Sequence, residues 1–455
     1  MTTLIAFLVG VLILVTVHEF GHYAVARWCG VAVRRFSIGF GAPIWRWQRD
    51  ASSTEFVIAR WPLGGYVRML DEADGQVPEA MLPFAFNRQP VARRLAIVVA
   101  GPLANVLLAI ALYSGVQWLG TERPQPVLST PVPGSLAERA GLRAGDRVKS
   151  VRIFEQANAQ PVTTFDELWW ELTQAFADRE PVVLKVTRAG EAGDAEITLD
   201  FALSVNGTPE DLGLREFGFT GVWVSPTIKS AVAGGAADRA GVQSGDLVLA
   251  INGERIEDAQ ALRLKIQDAV LADGSVTAQQ WQLERNGQIV VLELTPDVVD
   301  TTDRRVGRAG VMLGGAPATV WVQAGFLDGL ALGATHTWDV TARSVKSLWQ
   351  MLVGAGSTAQ LSGPVGVAKA AGQSASLGLT TYLQFLAFFS VSLAVINALP
   401  IPVLDGGHVM YYLWEWVSGR PPSPEWMLQS QRVGLALIAT LMVVAVSNDL
   451  VRLWG

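Results

Sequence analysis

Val17-His18-Glu19-Phe20-Gly21-His22 closes an apolar run that begins at Leu4, and its reading decides what the rest of the chain builds. Two imidazoles and a carboxylate stand where a membrane helix would carry only carbon. On a helix, His18 and His22 are one turn apart and share a face, so both can reach one metal ion with Glu19 beside them. That spacing suits zinc, with Glu19 as general base on a water molecule. The five-residue pattern alone recurs by chance in unrelated chains. Its position adds weight, because ionisable groups inside a membrane span are costly and mark functional sites.

The 455 residues are 50% hydrophobic and only 17% charged, too apolar for an ordinary soluble protein and long enough for several domains. This composition reads as a membrane protein with soluble parts. A net charge of -6 argues against nucleic acid as a partner. The single cysteine, Cys29, excludes an intrachain disulfide and a cysteine-rich zinc site, which leaves histidine and carboxylate as ligands.

No Lys or Arg precedes the run Thr3 to Val17, so it reads as a retained span and not as a cleaved signal. Arg27, Arg34 and Arg35 after it place residue 27 onward on the cytoplasmic side, with His18 and His22 near the cytoplasmic end. A second span, Leu95 to Leu119, is about 37 Å long as a helix, and Arg88, Arg93 and Arg94 precede it. Within it, Pro102 suits a first helical turn. Asn105 either satisfies a neighbouring helix or orients a group at the metal. Third and fourth spans are expected at about 379–399 and 433–446.

Between the first two spans, Val33 to Leu70 alternates in short runs punctuated by Gly39, Gly41, Pro43, Pro62, Gly64 and Gly65, which predicts strands and tight turns. Such a hairpin either dips into the bilayer, buried in protein or lining a cavity, or lies in the cytoplasm.

Residues 120 to about 300 are soluble in character and contain a repeat. Gly134-Ser-Leu-Ala-Glu-Arg-Ala-Gly-Leu-Arg-Ala-Gly-Asp-Arg-Val148 matches Gly234-Gly-Ala-Ala-Asp-Arg-Ala-Gly-Val-Gln-Ser-Gly-Asp-Leu-Val248 with eight identities in fifteen. Each copy predicts a short helix stopped by Gly141 or Gly241, a Gly-Asp turn, and a strand from about Val148 or Val248. Asn252-Gly253 supplies a hairpin turn in the second copy, whereas Arg152 to Asn158 stands there in the first. The segment resembles two PDZ domains of the bacterial type, at 120–220 and 221–300. That resemblance implies either capture of peptide or protein termini by strand addition or a steric cover. Asp297 to Arg308 reads as a linker. Trp338, Ala342, Val345, Trp349 and Leu352 then recur at helical spacing, an amphipathic helix lying in the outer interface or packing under the modules. His336 at its start reads as an interfacial residue.

Asn397-Ala-Leu-Pro400-Ile-Pro402-Val-Leu-Asp405-Gly-Gly-His408 ends the third span on the side of His18 and His22. The prolines cannot continue a hydrogen-bonded helix, so the chain is extended or kinked there. Asp405 is the natural third ligand, and two imidazoles with one carboxylate leave a tetrahedral position for water. A helix cap or turn is the other use of Asp405, and His408 is a rival ligand.

Taken together, these stretches resemble the site-2 protease family, in its bacterial RseP-type branch, over nearly the whole length. The family motif HExxH is here His18-Glu19-Phe20-Gly21-His22, and NxxPxPxxDG is Asn397, Pro400, Pro402, Asp405 and Gly406. Gly363-Pro364-Val365-Gly366 matches a further family stretch. The resemblance implies one Zn2+ per chain held by His18, His22 and Asp405, with Glu19 activating water. It implies that strands around Ile38 to Gly41 and Pro62 to Tyr66, including Gly64 and Gly65, form a membrane-reentrant β-loop. Asn397, Pro400 and Pro402 then help hold substrate. The expected fold is a multi-pass α-helical membrane protein with four transmembrane helices, a membrane-associated β-hairpin and two inserted α+β PDZ domains. Residues 1–119 and 376–455 would form the membrane core, and 301–375 a linker with amphipathic helices. The implied setting is the inner membrane, with the modules periplasmic and the site toward the cytoplasm. Implied substrates are single-span transmembrane proteins, such as a pre-trimmed anti-sigma factor, and leftover signal peptides. Two other readings are a non-catalytic peptide receptor, which has no use for Glu19, and a metal transporter, which would need a second site across the membrane.

Overall fold

The computed structural model describes all residues except 1, 51, 154–157, 189, 192, 202–216, 272–273, 301–304, 353–362 and 455. The chain divides into two compact units, Met1–Thr121 with Gln323–Gly455, and Glu122–Val322.

The first unit opens with helix α1 (Thr2–Trp28), apolar on every face. Its buried stripe Ala6, Gly10, Leu14, His18 and Gly21 recurs every three to four residues, so one side packs on protein while Leu4, Ile5, Val9 and Ile13 stay exposed. Two strands of 15 residues each follow, β1 (Val33–Trp47) and β2 (Glu55–Met69). Both bend back on themselves. Arg35 to Ile38 lies between Gly65 to Arg68 on one side and Glu55 to Ile58 on the other, and the latter is flanked in turn by Trp45 to Trp47. The short runs and turns read from the sequence are thus segments of two long strands, and Gly65 to Met69 forms an edge. Gly64, at a φ of 119° that an L side chain rarely adopts, makes one of the bends.

Helix α2 (Val91–Leu119) passes straight through Pro102, which therefore does not start it. The missing N–H leaves one carbonyl without its helical partner, a defect that packed membrane helices absorb. It packs on α1 closely: a Cβ on Gly21 would lie 2.3 Å from the Ala100 carbonyl.

The second unit holds the repeat. Its first copy carries β3 (Thr121–Pro124), α3 (Leu136–Arg139), β4 (Arg147–Ile153), β5 (Gln160–Pro161), α4 (Phe165–Asp178), β6 (Val182–Thr187) and β7 (Asp194–Leu199). Its sheet has the order β5-β4-β6-β7. Leu168 and Leu172 of α4 pack on Val151, Val182 and Leu184, and a Thr164–Glu167 capping box starts that helix. The second copy carries β8 (Ile228–Ala231), α5 (Ala236–Arg239), β9 (Leu247–Ile251), β10 (Glu254–Arg255), α6 (Ala259–Gln267), β11 (Gln279–Arg285) and β12 (Gln288–Leu294). Its sheet order is β10-β9-β11-β12, over a core of Val248, Leu262, Trp281 and Leu283. Asn252 and Gly253, with φ of 51° and 80°, make the expected β9–β10 turn. Residues 154–157 of the first copy's departure from that turn lie outside the described residues.

The stretch expected to be a linker is a hairpin instead, β13 (Asp297–Asp300) paired with β14 (Arg305–Arg308). Asp300 pairs with Arg305 across the strands at 3.0 Å and Asp297 pairs with Arg239 of α5, so charges that read as solvated linker have specific partners. Beyond it, β15 (Val311–Leu313) pairs with β8, and β16 (Thr319–Val322) with β3, so the second unit continues to Val322.

The first unit resumes with α7 (Phe326–Leu352), α8 (Pro364–Ser376), α9 (Leu379–Ala398), α10 (Asp405–Ser418) and α11 (Pro424–Trp454). α7 turns Gly329 and Gly333 onto Trp118 and Ser114 of α2, while Trp338, Val345 and Trp349 remain exposed. His336 packs edge-on against Tyr113 at 4.5 Å. Among the described residues, four helices are long and apolar enough to cross a membrane: Thr2–Trp28, Val91–Leu119, Leu379–Ala398 and Pro424–Asp449.

Candidate metal centre

Three chain segments converge on one point. α1 presents His18 and His22 from one face, as their four-residue spacing requires. The third group arrives from the break between α9 and α10. Pro400 and Pro402 end the helical hydrogen bonding, and Val403 sits at a φ of 116°, a strained value for a β-branched residue. Asp405 then opens α10 in its first turn. The strain is held by close packing. A Cβ on Gly406 would lie 2.2 Å from the Leu399 carbonyl, and Gly434 of α11 lies directly against the Pro402 carbonyl. At its far end α10 is pinned by Glu415, which accepts a hydrogen bond from Arg94 at 2.6 Å, with the Arg94 guanidinium 4.9 Å over the Tyr412 ring.

The result places one ligand atom each from His18, His22 and Asp405 within 4.8 Å of one another. Asp405 Oδ2 is 3.1 Å from His18 Nε2 and 3.5 Å from His22 Nε2, and the two Nε2 atoms are 3.3 Å apart. His408, the rival ligand, is not in this group.

The donor set fits a cation. His22 Nδ1 donates to the Ile97 carbonyl at 2.8 Å, which leaves the Nε2 lone pair pointing at Asp405. Asp405 Oδ2 is buried and has no hydrogen bond among the described residues. Its approaches to the imidazoles are ion-pair distances without hydrogen-bond alignment. Converging lone pairs repel unless a positive charge lies between them, and two imidazoles with a carboxylate match zinc.

α2 forms the wall behind the histidines. Gly101 faces them with no side chain: a Cβ there would lie 2.3 Å from His22 Nε2 and 2.9 Å from His18 Cε1. One turn on, the buried Asn105 amide is 3.2 Å from His18 Nδ1. Ile97 and Gly101 escaped sequence reading. Glycine leaves no chemical signature, and Ile97 acts through its main chain.

Glu19 stands on the side of α1 that meets the β-ribbon. Its carboxylate lies close to the Val67 main chain. A Cβ on Gly65 would approach Glu19 Cγ to 3.2 Å, so the glycine lets the edge strand lie against the helix. Asn397 is half-buried in the last turn of α9, Pro400 is exposed and Pro402 half-buried. These three precede Asp405 in the chain.

The model for peptidase family M50 matches residues 6–441. A Neisseria meningitidis protein named "Putative zinc metalloprotease NMA0084" is 38% identical over 473 residues, covering 100% of both chains. One from Ralstonia nicotianae, named "Putative zinc metalloprotease RSc1411", is 36% identical over 100% of this chain and 99% of its own. The Salmonella typhimurium "Regulator of sigma-E protease RseP" is 35% identical over 99% of this chain and 98% of its own.

Proposed function

The chain belongs to peptidase family M50 and is a zinc metallopeptidase, and we propose that it cuts peptide bonds inside the membrane-spanning segments of single-span proteins. The observation that carries this reading is the meeting of His18 and His22, on a helix of membrane-spanning length, with Asp405 just beyond the end of another, and with Glu19 and a strand edge beside them.

In this reading His18, His22 and Asp405 hold the zinc, which when bound supplies a Lewis acid and lowers the pKa of a water. Glu19 takes the proton of the attacking water on its carboxylate and returns it to the departing amine nitrogen. A peptide bond in a helix has its carbonyl bonded and its face shielded, so the substrate span must unwind first. The edge Gly65 to Met69 offers main-chain partners to the unwound segment, which in lipid finds no water. Gly64 and Gly65 leave the start of that edge free of bulk, and Asn397 with the Pro400-Ile-Pro402 turn helps hold the substrate.

The repeat modules are read as PDZ domains, supported by the paired helix, Gly-Asp turn and strand order in each copy. Basic residues Arg27, Arg34, Arg35, Arg93 and Arg94 near the site end of α1 and α2 support a cytoplasmic position for the site and a periplasmic one for the modules. Substrates of this kind are anti-sigma factors already trimmed outside the membrane, and leftover signal peptides. The name of the Salmonella relative supports the first. Reconstituted with a single-span substrate, Glu19→Gln is expected to keep one zinc per chain and lose cleavage by at least about 100-fold. Cleavage at the wild-type rate would refute the assignment.

A further inference from the structure

Asn105 of α2 contacts both α1 and α9, and its side chain has no role in the proposed chemistry. The residue is fully buried. Its main-chain carbonyl accepts a hydrogen bond from Ser390 Oγ of α9 at 2.8 Å, while its side-chain amide faces His18 Nδ1 of α1 at 3.2 Å. The packing role is therefore carried by the backbone. The side chain makes no contact of that kind, because its second amide atom, Oδ1, is buried without a hydrogen-bond partner. A buried asparagine with half of its amide unsatisfied costs stability, and its presence asks for a reason.

His18 supplies one. To present Nε2 as a lone pair to a cation, a neutral imidazole must carry its proton on Nδ1, and that proton needs an acceptor. His22 has one in the Ile97 carbonyl. The residue two turns along α2 from Ile97 is Asn105, and Gly101 between them clears the space for both rings. Half a turn about the Asn105 Cβ–Cγ bond exchanges its amide oxygen and nitrogen and sets Oδ1 opposite His18 Nδ1.

We infer that Asn105 is a positioning residue for His18: its amide oxygen accepts the Nδ1 proton, fixing the ring and the tautomer that leaves Nε2 free for the metal. Ile97 and Asn105 then form a matched pair of acceptors for the two histidines, one from the main chain and one from a side chain. The inference rests on the assignment of His18, His22 and Asp405 as metal ligands.

The test measures zinc affinity by chelator competition on the full chain in detergent, beside the melting temperature of the metal-free protein. Asn105→Leu keeps the shape and the Ser390 contact but removes the acceptor. It is expected to weaken zinc binding about 10- to 100-fold while the metal-free protein melts no lower than wild type. Asn105→Asp, which still accepts a proton from Nδ1–H, is expected to hold zinc within a few-fold of wild type. With cobalt in place of zinc, the visible absorption of Asn105→Asp should match wild type and that of Asn105→Leu should not. Where leucine does not fold, Asn105→Ala takes its place in the same comparison. Zinc bound as tightly by Asn105→Leu as by wild type, or as weakly by Asn105→Asp as by Asn105→Leu, would overturn the inference. A wild-type chain that binds zinc through His18, as shown by loss in His18→Ala, yet cleaves nothing would count against the protease reading alone.

Discussion

Gly101 shows how much of the site is made by what is missing. His22 is held from one side by the Ile97 carbonyl, and its Nε2 is reachable only because α2 carries a hydrogen where any other residue would carry a methyl. In Gly101→Ala that methyl would sit 2.3 Å from Nε2, so the ring must swing away or the helices must part. Zinc affinity is expected to fall by more than about 10-fold, of the order seen when a ligand's support is lost, and chelator competition on the purified variant measures it. Affinity within twofold of wild type would show that α1 can shift without cost. His18, Glu19 and His22 stood out in the sequence because their chemistry is foreign to a membrane span, and Asp405 because it follows the proline-broken end of another span on the same side. Ile97 and Gly101 were not, since one acts through a main-chain oxygen and the other through absence. Asn105 stood between: its polarity marked it, but only the distance to His18 says which neighbour it serves.

At the scale of elements, the repeat was legible and its partners were not. Asp146 and Asp246 close the Gly-Asp turns, each fully buried or nearly so. Arg188 Nη2 donates to the Gly141 carbonyl at 2.6 Å and its Nε to Asp146 at 2.9 Å, and Arg285 repeats this on Gly241 at 2.9 Å and Asp246 at 2.7 Å. The matching fifteen residues thus end where their anchor begins, because the arginine arrives from a strand some forty residues on. The Arg285 guanidinium beside Asp246 holds that carboxyl below its ordinary range. A depressed carboxyl contributes stability that is present above the unfolded value near 4 and is lost as pH falls through the folded value. Arg285→Ala leaves a buried carboxylate unpaired, so it is expected to cost about 3–5 kcal/mol at neutral pH. Below about pH 4 the gap between variant and wild type should narrow as the carboxyl takes a proton. Hydrogen exchange of the β11 amides around Trp281, corrected for the intrinsic rate at each pH, follows the second module; a gap that stays constant with pH would show that Asp246 is not the group involved. The same chemistry explains the misread linker. Asp297, Asp300 and Arg305 look like part of a solvated run until the fold gives each a partner of opposite charge.

At the scale of the whole molecule, every residue of the candidate site belongs to the first unit, and the second unit is an insertion between Thr121 and Gln323. The two ends of that insertion are held by the first unit itself. Ala324 N donates to the Gln117 carbonyl at 3.0 Å, Trp118 Nε1 donates to the Phe326 carbonyl at 3.0 Å, and the Trp118 and Phe326 rings stack at 5.0 Å. Their closeness means that a short Gly-Ser bridge can replace Glu122–Val322 without pulling α2 and α7 apart. Sequence reading found this insertion from its composition and repeat but set its end near residue 300, because the pairings of β15 and β16 are made with strands far back in the chain. If the modules only screen what reaches the site, the bridged chain should bind one zinc per molecule as wild type does. It should also cut single-span substrates that still carry a bulky outer domain, which on this view wild type would leave intact. Gel analysis of reconstituted substrates with and without that domain, beside zinc content, reads both outcomes. Intact zinc with no gain in substrate range would remove screening from the modules' role and leave terminus binding as their function, whereas lost zinc would show that the insertion is needed to build the membrane unit.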